Sequence, residues 1–183
     1  MDAKGHAMLN IRLLEESDVP EFIRLRLEGL QNDPVAFGSS WEEERTHTPQ
    51  SVGPRLRAVP DGSFVVGAFH DDRLIGITGF LRSERPKTRH KGSIWGVYVT
   101  PEERGKGVAR ALFLFLLERA RGYAGLDQIS LCVAAPQDAA RHLYTSLGFE
   151  VYCYEQHALK VGDTYVDEEH RVLWLKPPPA QGR

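Results

Sequence analysis

Hydrophobic and polar positions change their period between residues 94 and 121. Ile94-Trp95-Gly96-Val97-Tyr98-Val99-Thr100 is β-branched and aromatic, and after a short polar break Val108 to Leu117 is almost entirely apolar. The first stretch predicts a strand with Trp95, Val97 and Val99 on one face and Tyr98 on the other. Pro101 has no N–H to give a ladder, so pairing should stop there. The apolar run is too long for a typical strand. Arg110, Glu118 and Arg121 share one narrow helical arc, which predicts a mostly buried helix with one thin side in water.

The flanking pattern alternates between the same two periods. Residues 9–14 predict a first strand. Asp18 reads as an N-cap whose capping box Glu21 completes, with Pro20 tolerated in the first turn. Val19, Phe22, Ile23, Leu27 and Leu30 follow at helical spacing as a core stripe, and Asn32-Asp33-Pro34 ends the helix. Ser40 is placed to cap a helix starting Trp41-Glu42-Glu43-Glu44, where three acids suit the dipole. A helix is expected in the polar stretch that runs on to Pro60. Residues 64–69 and 74–81 form a hairpin through His70-Asp71-Asp72-Arg73. Residues 83–90 are an exposed connection in which His90 is solvated. Residues 128–133 make another strand. Residues 136–147 make a helix with Ala140, Leu143, Tyr144 and Leu147 on one face, capped by Gly148. Residues 149–155 and 165–175 are the last strands, joined by Val161-Gly162-Asp163.

Composition narrows the classes. At 183 residues, with 42% hydrophobic and 26% charged positions, the chain suits one globular domain, assigned to 9–176 between a disordered N-terminus (1–8) and a polar tail (177–183). A formal net charge of −2 argues against nucleic acid or a membrane surface as partner. With no secretory signal or membrane-length apolar run, a cytoplasmic location is expected, as a monomer or homodimer. Cys132 and Cys153 cannot by themselves build a disulfide framework or a metal site, so no metal is expected.

The chemistry concentrates in Arg104-Gly105-Lys106-Gly107-Val108-Ala109. Two glycines let the backbone turn tightly and let a ligand approach without meeting a Cβ. The helix start that follows leaves N–H groups unpaired and adds partial positive charge. Arg104, Lys106 and Arg110 add full charges of the same sign. Together these make an anion cradle suited to phosphate or pyrophosphate. A P-loop would require Ser or Thr after Lys106, where Gly107 stands, and a dinucleotide fingerprint would require glycine at Arg110. The plainer alternative is a solvated basic turn before a core helix.

This arrangement resembles the GNAT superfamily of N-acetyltransferases, whose Arg/Gln-x-x-Gly-x-Gly/Ala signature matches Arg104, Gly107 and Ala109. A second run, Ala140-Arg141-His142-Leu143-Tyr144-Thr145-Ser146-Leu147-Gly148-Phe149, is similar to that family's Ala-x-x-Leu-Tyr-x-x-x-Gly-Phe segment at the right distance. The resemblance implies an α/β (α+β) fold with a mixed, strongly bent central sheet of about six to seven strands flanked by about four helices. It implies acetyl-CoA as cosubstrate, lying between the central strand and the next. Val97 and Val99 would offer backbone groups to its pantetheine arm. N–H groups over Arg104, Gly105, Lys106, Gly107, Val108, Ala109 and Arg110 would hold the pyrophosphate. Gln137, Ala140 and Tyr144 would complete the cofactor site, with Tyr144 as general acid for the departing thiolate.

Two positions depart from the family pattern. Gln137 stands where asparagine is frequent. The central strand carries Lys91, Ser93 and Trp95 where many members have a glutamate base. The base is left open among a water relay, the segment Trp41 to Glu44, and His170. The implied activity is acetyl transfer to a primary amine of a small molecule or a protein or peptide, by direct attack in a ternary complex. The alternative is a binding module that retains acyl-CoA without catalysis. Glu42, Glu43 and Glu44, together with Asp167, Glu168 and Glu169, would draw in a cationic amine if both groups lined one cleft. The alternative is that both are solvated faces.

Overall fold

A computed structural model describes residues 8–177; residues 1–7 of the expected disordered start (1–8) and residues 178–183 of the tail (177–183) lie outside the described residues. In chain order the elements are β1 (Leu9–Leu13), α1 (Val19–Asn32), α2 (Trp41–Glu44), α3 (Pro49–Leu56), β2 (Phe64–His70), β3 (Arg73–Arg82), β4 (Lys91–Val99), α4 (Val108–Arg121), β5 (Gln128–Ala134), α5 (Asp138–Ser146), β6 (Glu150–Val161) and β7 (Thr164–Trp174). The strands form one open sheet in the order β1-β2-β3-β4-β5-β7-β6. All neighbours are antiparallel except β4 and β5, which are joined by the crossover helix α4 that a parallel pair requires.

The β4–β5 pair is short. Lys91, Gly92 and Ser93 pair with Gln128, Ile129 and Ser130, and no further rung follows. Beyond Ser93 the edge of β4 facing β5 has no strand partner, and the two strands part.

A bulge in β4 changes which residues share a face. Ile77 pairs with Tyr98 while Gly79 pairs with Trp95, so β4 carries one extra residue, and Gly96 sits there at φ +66°. The left-handed backbone suits a residue without a Cβ. Trp95 therefore joins Tyr98 in the layer under α1, while Ile94, Val97 and Val99 face α4. The expectation that Trp95, Val97 and Val99 share a face is corrected by that one inserted residue. On β3, Gly79 leaves the space that the Trp95 ring fills.

Two apolar layers sandwich the sheet. α4 buries Leu112, Phe113 and Leu116 completely against one face, and its outer arc is Arg110, Leu114, Glu118 and Arg121. α1 and α3 cover the other face through Phe22, Leu25, Leu30, Val52 and Leu56. Truncating a side chain such as Leu116 to alanine would cost roughly 2–5 kcal/mol by transfer and cavity terms.

Several local expectations shift. α1 buries Leu25 and Gly29, while Ile23 and Leu27 are half-buried, because Gly29 lets the Tyr98 ring approach within 3.0 Å of where a Cβ would stand. Asp18 does not cap α1 through a box with Glu21. Its carboxylate accepts from Arg12 at 2.6 and 2.7 Å and from the Glu15 N–H, while Glu21 pairs with Arg24 and accepts from Leu74 N–H. Ser40 does cap α2, accepting from Glu43 N–H at 3.2 Å, but α2 is only one turn and Thr48 starts a separate α3. β6 runs six residues past the expected end at Glu155 through a bulge where His157 has φ +56°. The connection after β3 is fastened by buried Arg82, which donates to the carbonyls of Asp61, Arg89 and Ala124.

Candidate active site

Where β4 and β5 part, a cavity of about 640 Å³ opens, walled by Val97–Val99, the loop and first turn of α4, and the start of α5. It lies in the usual size range for a small-molecule site. Of the residues predicted to bind a cofactor, Val97, Val99, Arg104, Gly105, Gly107, Val108, Ala109, Arg110, Gln137, Ala140 and Tyr144 line it. Lys106 does not: its ammonium turns to Glu103 at 3.2 Å.

The glycines do what the sequence required of them. Gly105 and Gly107 have φ +74° and +84°, and a Cβ built on either would meet nothing within 4 Å. The space beside them is therefore free for a ligand. Gly107 is the N-cap of α4 and brings no capping side chain, so the opening N–H groups of the helix have none from that position.

The full charges are less available than the sequence suggested. Arg104 donates to the Val99 carbonyl at 3.0 Å and to Asp33 at 2.5 Å, with its guanidinium 5.4 Å from the Tyr98 ring centroid. It braces the end of α1 against the loop, and it takes up a Val99 acceptor expected to face the pantetheine arm. Arg110 is exposed and donates to Ser146 Oγ at 2.9 Å. The local field thus rests on the helix N–H groups and Arg110, with Arg104 and Lys106 largely neutralised by carboxylates.

Tyr144 stands on the cavity wall with its ring against Phe113 and Phe149, centroids 5.2 and 6.2 Å away. It is 5% exposed, and among the described residues its hydroxyl makes no side-chain hydrogen bond. Burial pushes the phenol well above its ordinary value, with nearby Arg171 a smaller opposing influence. The group stays protonated and its O–H is a reserve donor. α5 is held on β7 by a network that sequence reading missed. Glu169, turned toward α5, accepts from Arg141 at 2.9 Å and from Arg171, while Arg171 also donates to the Arg141 carbonyl and Thr145 Oγ1. Burial would raise the Glu169 carboxyl, but the two guanidiniums outweigh it and hold the group below the usual range.

A second cleft of about 750 Å³ lies between the start of α2 and the β6–β7 tip, lined by Phe37, Trp41, Glu42, Glu43, Lys160 and neighbours. The idea that two acidic groups share one cleft is corrected here. Glu44 is bound to Arg26 and Ser39, Asp167 accepts from Tyr154 and His157, and Glu169 belongs to the opposite face. Only Glu42 and Glu43 of the six line the cleft, and Lys160 lines it too. Glu43 is tied up with Ser40. Of the residues considered as base, His170 lies on the open face of β7, its Nε2 2.8 Å from Glu155 and its Nδ1 3.1 Å from Cys132 Sγ.

The fold is an open mixed sheet splayed at β4 and β5 over one cavity, and comparison with known proteins assigns its class. Residues 27–149 match the model of the acetyltransferase (GNAT) family, and the chain belongs to that family. A mycothiol acetyltransferase from Rhodococcus jostii is 33% identical over 151 residues, covering 75% of this chain and 48% of that protein, so the chain spans about half the relative's length. Among solved structures, a GNAT-family acetyltransferase from Streptococcus pneumoniae superposes with TM-score 0.82 at 22% identity, covering 91% of this chain and 99% of the other. The Salmonella typhimurium protein yncA, solved with its cofactor acetyl-CoA, gives 0.78 at 20% identity, covering 95% and 98%. These likenesses establish the seven-stranded mixed sheet as the family fold. No helix among the described residues is long and apolar enough to cross a membrane.

Proposed function

We propose that the protein transfers the acetyl group of acetyl-CoA to a primary amine by direct attack in a ternary complex. One observation carries this reading: a single cavity is walled by the start of α4, the β4 segment Val97–Val99 and Tyr144. The helix start and the left-handed glycines suit a pyrophosphate. The unpaired edge of β4 suits an extended arm lying beside it as an added strand would. Tyr144 then meets the far end of that arm. The acetyl-CoA bound by yncA, which shares the fold, supports the choice of cosubstrate.

In this reading the amine lone pair attacks the thioester carbonyl carbon and the C–S bond breaks. Tyr144, the general acid of this reading, acts by hydrogen-bonding the departing sulfur, which leaves as the thiolate, while the amine proton leaves to solvent. A thiol of pKa near ~8.5 leaves as an anion, so a phenol held protonated by burial stabilises it mainly as a donor. The residues of β4 near the parting on the face away from α4, Ser93 and Trp95, bring no carboxylate, and we assign no protein base. The acceptor enters from the Trp41–Lys160 cleft, where Glu42 is the carboxylate free to meet a cation.

Release of free CoA thiol, followed across a panel of small amines and peptide N-termini, tests the proposal. Acceptor-dependent release together with the mass of an N-acetylated product is expected. Tight acetyl-CoA binding with no release for any amine would favour the acyl-CoA-binding module instead.

A further inference from the structure

The β5–β7–β6 part of the sheet face away from α4 and α5, which α1 and α3 leave uncovered, carries a cluster that the transfer reading does not use. Cys132 on β5 and Cys153 on β6 both pair with His170 on β7, one from each side. Cys132 Sγ lies 3.1 Å from His170 Nδ1, and the Glu168 carboxylate joins them, so that one ligand atom from each residue lies within 4.8 Å of the other two. His170 Nε2 is 2.8 Å from Glu155.

Three uses of this cluster can be weighed. A disulfide between the cysteines is ruled out by the sheet, because two strand spacings separate them by about 9–10 Å, beyond the ~7 Å reach of a disulfide. A nucleophilic thiolate is opposed by the surroundings. The Glu168 and Glu155 carboxylates stand around the Cys132–His170 pair and disfavour a free thiolate. That leaves a cation, which the same electron-rich surroundings favour.

We propose that Cys132, His170 and Glu168 form a site for a thiophilic divalent cation such as zinc. The histidine is prepared for it. A carboxylate can only accept, so Glu155 fixes the Nε2–H tautomer and leaves the Nδ1 lone pair on the side of Cys132. A carboxylate behind a histidine is the usual outer support of a ligating imidazole. Tetrahedral Zn²⁺ with S at ~2.3 Å and N at ~2.0 Å places those two ligand atoms about 3.5 Å apart, close to the separation observed. One sulfur, one nitrogen and one carboxylate leave a fourth position open, as catalytic rather than structural zinc sites do. Cys132 follows Ser130, the last β5 residue paired with β4, on the same face, so the cluster lies next to where the strands part. Two cysteines by themselves do not make a metal site; the sheet adds a histidine and two carboxylates from residues 155–170.

Cobalt titration of the full, tag-free chain under reducing conditions tests the site without reference to acetyl transfer. The expected result is one Co²⁺ per chain with a thiolate-to-cobalt charge-transfer band, displaced by Zn²⁺. The band should vanish in Cys132→Ser. Affinity should fall at least 100-fold in His170→Gln and ~10- to 100-fold in Glu155→Ala, which removes only the outer support. Cys153→Ser should leave the band intact. Absence of a band in the wild type, its persistence in Cys132→Ser, or its loss in Cys153→Ser would overturn the assignment.

Discussion

Tyr144 concentrates the catalytic reading at the scale of one residue. Its ring is packed by Phe113 and Phe149 whether or not the hydroxyl is present, so Tyr144→Phe should fold like the wild type. If the hydroxyl serves the leaving thiolate, kcat should fall by roughly 10²-fold with little change in acetyl-CoA affinity. An unchanged kcat, with chemistry shown to limit turnover, would reduce Tyr144 to a packing residue. The turn at Gly105 and Gly107 was legible in the sequence because it depends on neighbours within one turn, and both have left-handed φ, whereas Tyr144 was singled out by the family resemblance alone. Arg104 was half legible. Its charge was plain, but the Asp33 that neutralises it lies 71 positions away and comes within reach only when α1 ends beside the loop.

Single elements show what periodicity can and cannot carry. The strand–loop–helix centre, the hairpin and α5 followed from period and punctuation. The bulge at Gly96 did not, because alternation presumes a continuous register, and a glycine inside a strand was its only trace. β6 extends past Glu155 because its partner β7 continues, whereas its own sequence turns polar on a face that no helix covers. The Glu169–Arg171–Arg141 network, invisible to pattern, fixes α5 and therefore Tyr144. Arg171→Met would leave the buried Glu169 with Arg141 alone, at a cost of about 3 kcal/mol, the low end for breaking a buried pair. Since the Glu169 carboxyl is held below its unfolded value, its stabilisation is present above that value and is lost as pH falls through the folded one. Thermal melts of wild type and Glu169→Gln should therefore differ near neutral pH and converge in acid. A difference that is constant with pH would assign the loss to packing rather than charge.

At the scale of the whole molecule, the parting of β4 from β5 sets where the cavity lies. Three rungs of pairing hold the strands together, and the cavity begins where they stop. The family resemblance made this parting an expectation. The composition of the second cleft was not legible, since it depends on which of six scattered acids the fold turns toward Trp41. With no protein base assigned, the attacking amine must arrive unprotonated. The rate at limiting acceptor should thus rise with pH toward the acceptor's own pKa, and should shift in parallel when amines of different basicity are compared. A common midpoint for all amines would instead reveal a base in the protein. Glu42→Lys should lower kcat/KM for a dicationic amine more than for an amine with an uncharged tail, with the difference shrinking in high salt. Equal effects on both would remove Glu42 from acceptor selection.

The account stands on the cavity as an acetyl-CoA site, and calorimetric titration of the cosubstrate into wild type and two variants tests it most directly. Gly107→Val places a Cβ in the space left free beside the helix start, although φ +84° makes it a strained variant. Arg110→Glu complements it, because an acid at the third helical position suits the helix while repelling a phosphate. The wild type is predicted to bind one equivalent at low-micromolar to sub-millimolar affinity. Each folded variant, checked by thermal melt, should bind at least tenfold more weakly, which is ~1.4 kcal/mol. No binding by the wild type, or undiminished affinity in a folded Arg110→Glu, would contradict the assignment of this cavity.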